Sequence, residues 1–319
     1  MQRRRTALIV AGPTASGKSA LALALAGRLG GTVINADSMQ VYRELSILTA
    51  RPTPEEEAVV PHALYGIRAA REPGSAAWWR AAAADAMESA AAAGCLPLIC
   101  GGTGLYFSSL INGLSPIPSV TDEARDEARA LLKSLGPAAL HAQLSVVDPT
   151  TATRLRSTDS QRVARAWEVW RSTGRGLAEW QAERGEPSAW SFRAILLDPP
   201  REVLREAIAG RFTAMLEAGA LQEARALLDL KLDPALPAMR AHGVPELAAH
   251  LRGEISIEEA ARRARLVTGQ YAKRQATWFR HHELAATGAV HTIHARFAGL
   301  AQFSERERGD LLKFIDTPA

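Results

Sequence analysis

TALIVAGPTASGKS, from Thr6 to Ser19, starts as an apolar run of strand character, breaks at Gly12-Pro13 and completes the pattern G-x-x-x-x-G-K-[ST] at Gly12 to Ser19. A strand that delivers the chain into such a loop makes a phosphate cradle. Gly12 and Gly17 allow successive backbone N–H groups to face one anion, with Pro13, Thr14, Ala15 and Ser16 between them. Lys18 adds a charge, and Ser19 offers a hydroxyl to Mg²⁺. Ala20 to Leu29 is rich in Ala and Leu with a helical pattern, so the anion also meets a helix N-terminus. The motif implies a polyphosphate ligand and leaves open which one.

Working outward, Gly31 to Asn35 reads as a second strand that ends in Ala36-Asp37-Ser38-Met39-Gln40-Val41-Tyr42. Ligands of open α/β sheets bind beyond the carboxyl ends of the strands, so Asp37 is expected in the crevice of the phosphate loop. Capping of the next turn is the other reading of Asp37. Glu55 to Glu57 reads as a solvated acidic run, His62 to Ile67 as an edge strand and Ser75 to Ala93 as a helix. Leu96 to Cys100 is a further strand, running into Gly101-Gly102-Thr103-Gly104. A kinase or ATPase would often carry an acidic residue at such a strand end to help hold Mg²⁺. Here the position offers Gly-Gly-Thr.

From Asp122 to about Pro187 the pattern is purely helical, with helices at Asp122 to Leu135, Pro137 to Leu144 and Ser160 to Thr173. Strand character returns at Ser191 to Leu197, and long amphipathic helices follow at Arg201 to Ala218, Ala220 to Asp229 and Ile257 to His281. The fold class read from this order is α/β: a P-loop NTPase-like core with a mainly parallel sheet (residues 1–115 and 191–319) interrupted by an all-helical insertion (116–190). Gln161 and Arg165 fall one turn apart on one helix face, as do Arg274 and Trp278, while Lys273 and Arg280 share another. Basic groups with an aromatic neighbour suit a phosphodiester backbone and a stacked base.

Composition sets the bounds. A chain of 319 residues, 47% apolar, is long enough for two domains with a sizeable core. Only Cys95 and Cys100 are present, which excludes a disulfide framework and a zinc module built from cysteine pairs. No stretch approaches the roughly twenty apolar residues of a membrane span, so no membrane partner and a cytoplasmic location are expected. The net charge of +4 and pI near 9.3 permit an anionic partner.

Five blocks in order, GPTASGKS (12–19), NADSMQVY (35–42), CGGTGLY (100–106), QRVARA (161–166) and YAKRQATWFR (271–280), carry a resemblance to the tRNA dimethylallyltransferase family, in its bacterial type. What the resemblance implies is transfer of a dimethylallyl group from dimethylallyl diphosphate to N6 of the adenosine 3′ to the anticodon, by a monomer using Mg²⁺. It assigns the diphosphate to the loop Gly12 to Ser19, the general-base role to Asp37 and positioning of the adenine amine to Thr103. It implies contacts of the tRNA anticodon stem-loop with Asp37, Ser38, Met39, Gln40, Thr103 and Arg125. Further contacts are implied at Gln161, Arg162, Val163, Ala164 and Arg165, and at Lys273, Arg274 and Arg280. The target base would leave its stack to reach the crevice. Met239 to Glu246 departs from the family's usual Gly-Tyr-Lys/Arg continuation, and Arg240 alone is kept there as an RNA contact. Gly269 stands where a basic residue is usual, and no Cys follows Cys100 to build the zinc finger of eukaryotic members. Competing readings are a P-loop kinase of a small metabolite, an adenylate isopentenyltransferase acting on free nucleotide, and an RNA-binding ATP switch.

Overall fold

The computed structural model describes residues 5–183 and 185–316. They belong to two compact units, 1–111 with 188–319 and 112–187.

The larger unit is built on a six-stranded sheet in the order β3-β2-β4-β1-β5-β6. Its strands are β1 (Thr6–Ala11), β2 (Gly31–Ala36), β3 (His62–Ala63), β4 (Leu96–Gly101), β5 (Ser191–Leu197) and β6 (Val290–Ile293). Every pairing is parallel, which sharpens the expectation of a mainly parallel sheet. Strands covered on both faces read as continuous apolar runs, and β1 does so because its residues alternate between two cores. Ala7, Ile9 and Ala11 pack on one side with Trp79, Met87 and Phe107 from α3 (Ala76–Ala92) and α4 (Gly104–Asn112). Leu8 and Val10 pack on the other with Leu21 and Leu25 of α1 (Lys18–Leu29). Each fully buried Leu, Ile or Val among these contributes about 1.5–3 kcal/mol.

A third cluster joins the loop after β2 to α9 (Arg201–Glu217), α10 (Ala220–Asp229), α11 (Val244–Leu251) and α12 (Ile257–His281). Glu223 of α10 pins that loop. Its carboxylate accepts from the N–H groups of Ser46 (2.7 Å), Ile47 (2.8 Å) and Leu48 (2.8 Å) and from the Ser46 hydroxyl (2.9 Å). The last element among the described residues is α13 (Glu305–Asp316). No helix among the described residues is long and apolar enough to cross a membrane.

The helical unit contains α5 (Asp122–Val147), α6 (Pro149–Ala152), α7 (Ser160–Thr173) and α8 (Leu177–Ala182). The helix α5 is two segments meeting at Gly136 (φ 79°, ψ 168°), because Pro137 supplies no N–H to continue the ladder. Val163, Ala166 and Trp167 of α7 face Leu140 and Leu144 of α5. Buried Asp148 ties the unit together, accepting from the N–H groups of Thr151 and Leu177, each at 3.0 Å.

One local expectation is sharpened and one corrected. The solvated acidic run Glu55 to Glu57 is the first turn of α2 (Pro54–Val59), which buries no residue and is started by a reciprocal cap in which Glu56 N–H donates to Thr53 Oγ1 (3.3 Å) and Thr53 N–H to Glu56 (2.9 Å). The edge strand expected at His62 to Ile67 stops after Ala63, since Leu64 takes φ 67° and turns the chain out of the sheet.

Candidate active site

The cradle forms where β1 ends. Ala15 and Gly17 both adopt positive φ (64° and 89°), and Ser16 N–H closes back on Pro13 C=O at 3.2 Å. The helix α1 begins at Lys18 with Gly17 as its N-cap and no side-chain cap, which leaves its first amides for a ligand. Lys18 is buried, with Nζ 3.4 Å from Pro13 C=O; burial lowers its pKa, and the charge of Asp37 acts against that shift. The Ser16 hydroxyl is buried without a hydrogen-bond partner.

Asp37 follows β2 and is fixed from behind by Asn35, whose side chain is fully buried. Asn35 Oδ1 accepts the Asp37 N–H (2.8 Å), while Nδ2 donates to the carbonyls of Asp37 (3.0 Å) and Leu64 (3.1 Å). Asp37 Oδ1 then accepts the Met39 N–H at 2.9 Å, which orients the carboxylate. Thr103, after β4, is tied to the same turn: its N–H donates to Ala36 C=O (3.1 Å), and its Oγ1 accepts the Ser38 N–H (3.0 Å) and donates to Ser38 Oγ (3.3 Å). Tyr271 of α12 stands beside that hydroxyl, its phenol pKa pushed up to about 12 by burial and the charge of Asp37.

A single glutamine links two loops of the site. Buried Gln275 accepts the Thr14 N–H (2.8 Å) and donates to Gly102 C=O (2.8 Å). A Cβ on Gly102 would lie 2.2 Å from the Gln275 Nε2, so a larger residue there would have to displace this amide from its two hydrogen bonds. Arg211 of α9 reaches in from the other side, donating to Thr14 Oγ1 and Thr49 C=O, both at 3.3 Å. Burial lowers its pKa and the charge of Asp37 opposes the shift.

These groups surround two adjoining cavities. A polar cleft runs past Gly17, Lys18, Ser19, Arg51, Arg211 and Arg296. A more apolar chamber has walls of Leu48, Ile208, Phe212 and Met215, with Ser38, Met39, Arg240, His242 and Tyr271 at its polar edge. Thr14, Asp37, Thr49 and Arg211 line both. The His242 ring sits 4.9 Å from that of Tyr271, and burial lowers its pKa. The donors on the cleft are hard oxygens: the hydroxyl of Ser19, in an exposed residue, the carboxylates of Asp37 and Glu206, and that of Glu56, which already caps α2. Among the described residues no three His, Cys, Asp or Glu side chains converge to hold an ion. This set fits Mg²⁺ carried in with a diphosphate that supplies further oxygens, and does not fit a metal held by the protein alone.

The residues expected to meet RNA fall into separate groups. Ser38, Met39 and Arg240 line the chamber, whereas Gln40 is buried, with Nε2 committed to the carbonyls of Thr49 and Ala50, both at 2.9 Å. The YAKRQATWFR block divides over the faces of α12. The Arg274 guanidinium lies 5.5 Å from the Tyr271 ring centroid. Lys273 and Arg280 line a groove between α9 and α12 with Arg201, Arg205, Arg262 and Arg265, where Asp198 is the one acidic lining residue among those described. In the helical unit Gln161, Arg162 and Arg165 are exposed on α7, with Arg162 3.4 Å from Asp159 and Arg165 3.3 Å from Glu168. Arg125 pairs with Asp122 at 2.6 Å. Val163 has no exposed surface and Ala164 packs beside it, so their side chains support that face from beneath. Sequence reading missed Arg211, His242 and Arg296, and gave no role to Asn35, Tyr271 or Gln275. The amide of Asn35, two residues before a strand-end Asp, was the one local signal available.

Comparison with known proteins agrees with this geometry. The family profile described as IPP transferase matches residues 40–282, and one described as Isopentenyl transferase matches residues 5–60. The tRNA dimethylallyltransferase of Granulibacter bethesdensis is 59% identical over 314 residues, covering 98% of each chain. That of Gluconacetobacter diazotrophicus is 57% identical over 314 residues, 98% of this chain and 95% of its own. Among solved structures, the tRNA isopentenylpyrophosphate transferase of Bacillus halodurans superposes with a TM-score of 0.69 at 32% identity, covering 98% of this chain and 97% of its own. A eukaryotic dimethylallyltransferase described as acting on tRNA gives a TM-score of 0.80 at 27% identity, over 98% of this chain and 79% of its own.

Proposed function

The chain belongs to the IPP transferase family, and from that premise we propose that it transfers the dimethylallyl group of dimethylallyl diphosphate to N6 of the tRNA adenosine 3′ to the anticodon. The observation that carries this reading is the position of Asp37, which lines both the phosphate cleft and the apolar chamber. A prenyl diphosphate needs both surroundings at once, an anion cradle for its head and an apolar wall for its tail. The diphosphate lies against Gly12 to Ser19, where the loop amides, Lys18 and Arg211 stabilise the charge that grows as the allylic C–O bond breaks. Mg²⁺ held by Ser19 and the diphosphate oxygens would neutralise part of that charge.

The dimethylallyl group faces Leu48, Ile208, Phe212 and Met215. The adenine N6 lone pair forms the new bond to the allylic carbon, the C–O electron pair leaves with diphosphate, and the N6 proton passes to the Asp37 carboxylate. Thr103 and Tyr271 hold the amine in line. Tyr271, with its phenol near 12, stays protonated at neutral pH and serves as a neutral partner. The RNA contacts are assigned to Asp37 to Gln40, Thr103 and Arg240 near the chamber, to Lys273, Arg274 and Arg280 on α12, and to Arg125 and the Gln161 to Arg165 face of the helical unit. Gln40 and Val163 act there by shaping the surface, since their side chains are buried. The cradle, base and chamber come from one chain, which supports catalysis by a monomer, and a tRNA substrate supports work in the cytoplasm.

The test is incorporation of labelled dimethylallyl group into anticodon stem-loop RNA, with AMP as rival acceptor and ATP hydrolysis followed in parallel. Label should enter the RNA and not AMP. Equal labelling of AMP, or ATP turnover without transfer, would overturn the assignment.

A further inference from the structure

The segment after β6 lies outside the stretch matched by the IPP transferase profile, which ends at residue 282. It nevertheless touches the cradle at two consecutive carbonyls. Arg296 Nε donates to Ala15 C=O (3.1 Å), and Phe297 N–H donates to Ser16 C=O (2.9 Å). The contact is close enough to dictate the motif: a Cβ on Gly17 would lie 2.2 Å from the Phe297 carbonyl oxygen. A trans peptide sends its C=O and N–H to opposite sides. With Ser16 C=O turned toward Phe297, the Gly17 N–H on the same peptide turns toward the cleft that Gly17 lines.

Arg296 lines that cleft with Lys18, Ser19 and Arg211. Its Nε is spent on the loop, while among the described residues its terminal nitrogens take part in no hydrogen bond or ion pair. A guanidinium held by Nε keeps a planar pair of donors that matches two phosphate oxygens. We propose that Arg296 is a donor-binding residue: it buttresses the glycine loop through Ala15 and clamps the diphosphate with its free Nη groups.

The inference rests on the assignment of the diphosphate to Gly12–Ser19, and the experiment separates the two. Inorganic pyrophosphate is titrated calorimetrically, with Mg²⁺, into the full chain, Arg296→Gln, Arg296→Lys and Lys18→Ala. Glutamine still reaches Ala15 C=O with a donor but carries no charge, so Arg296→Gln should keep the parent melting temperature. It should weaken pyrophosphate about tenfold, the lower end for losing a charged hydrogen bond, and flatten the salt dependence. Arg296→Lys should recover part of the affinity. In turnover, Arg296→Gln should lower kcat/KM for dimethylallyl diphosphate about tenfold or more, since the guanidinium would also meet the charge that grows on the leaving diphosphate, with the KM for RNA unchanged. Parent-like pyrophosphate affinity in Arg296→Gln, with Lys18→Ala weakened, would overturn the role of Arg296 alone. Parent-like affinity in both variants would overturn the placement of the diphosphate and the proposal with it.

Discussion

Asp37 and Arg165, both assigned to the reaction with RNA, sit in surroundings of opposite construction. Around Asp37 the polar groups are committed to one another over long stretches of chain: Thr14 meets Gln275 across 261 residues and Arg211 across 197. Around Arg165 the one ionic contact among the described residues is local, to Glu168 three residues along the same helix. The first arrangement is preorganised at the cost of folding, and any lost partner leaves a buried group unpaired. The second is an adjustable surface, where an exposed ion pair is worth little and its cation is free to turn to a phosphate. Chemistry and grip are built from different kinds of interaction.

The contrast is most exposed at Asp37. Asp37→Ala should lower single-turnover prenyl transfer by about 10²–10⁴-fold, the usual contribution of a positioned base, with the Kd for anticodon stem-loop RNA almost unchanged. A matching loss of RNA affinity would break the division between the two regions. Next is the glutamine bridge. Gln275→Ala strands the part-buried Thr14 N–H and the buried Gly102 C=O, and urea denaturation should show a loss of about 2–4 kcal/mol, the lower part of the range for two unpaired groups because water can reach the first. Gln275→Glu keeps an acceptor for Thr14 but loses the donor to Gly102, and should cost no less. Arg165→Ala should have the smallest effect, raising the RNA Kd about threefold to tenfold and reducing the slope of its logarithm against log salt by about 1. Stability and kcat at saturating RNA should not move.

How much of this was legible in the sequence follows the same division. The phosphate loop could be read because its geometry is encoded within Gly12 to Ser19, and the shared exposed face of Gln161 and Arg165 because they lie one turn apart on a helix. Arg211 could not be read. In the sequence it is one more cation on an amphipathic helix, and only the packing of α9 against the loop after β2 turns it inward. Gln275 was visible as a letter of a motif, without its role, since its two partners lie in distant loops. The shortened β3 escaped for a smaller reason: Leu64 takes a left-handed φ that no leucine advertises.

The sheet order carries a consequence for how the chain is made. The strand β1 is flanked by β4 on one side and β5 on the other, and β5 (Ser191–Leu197) lies beyond the whole helical unit, residues 112–187. On the ribosome, β1, β2 and β4 emerge long before β5, so the strand that becomes the centre of the finished sheet spends that interval as a bare, apolar margin. Such a margin is a template for pairing with another nascent chain. Inserting a helical unit at this point therefore sets how long β1 waits for its second neighbour while the chain is being made.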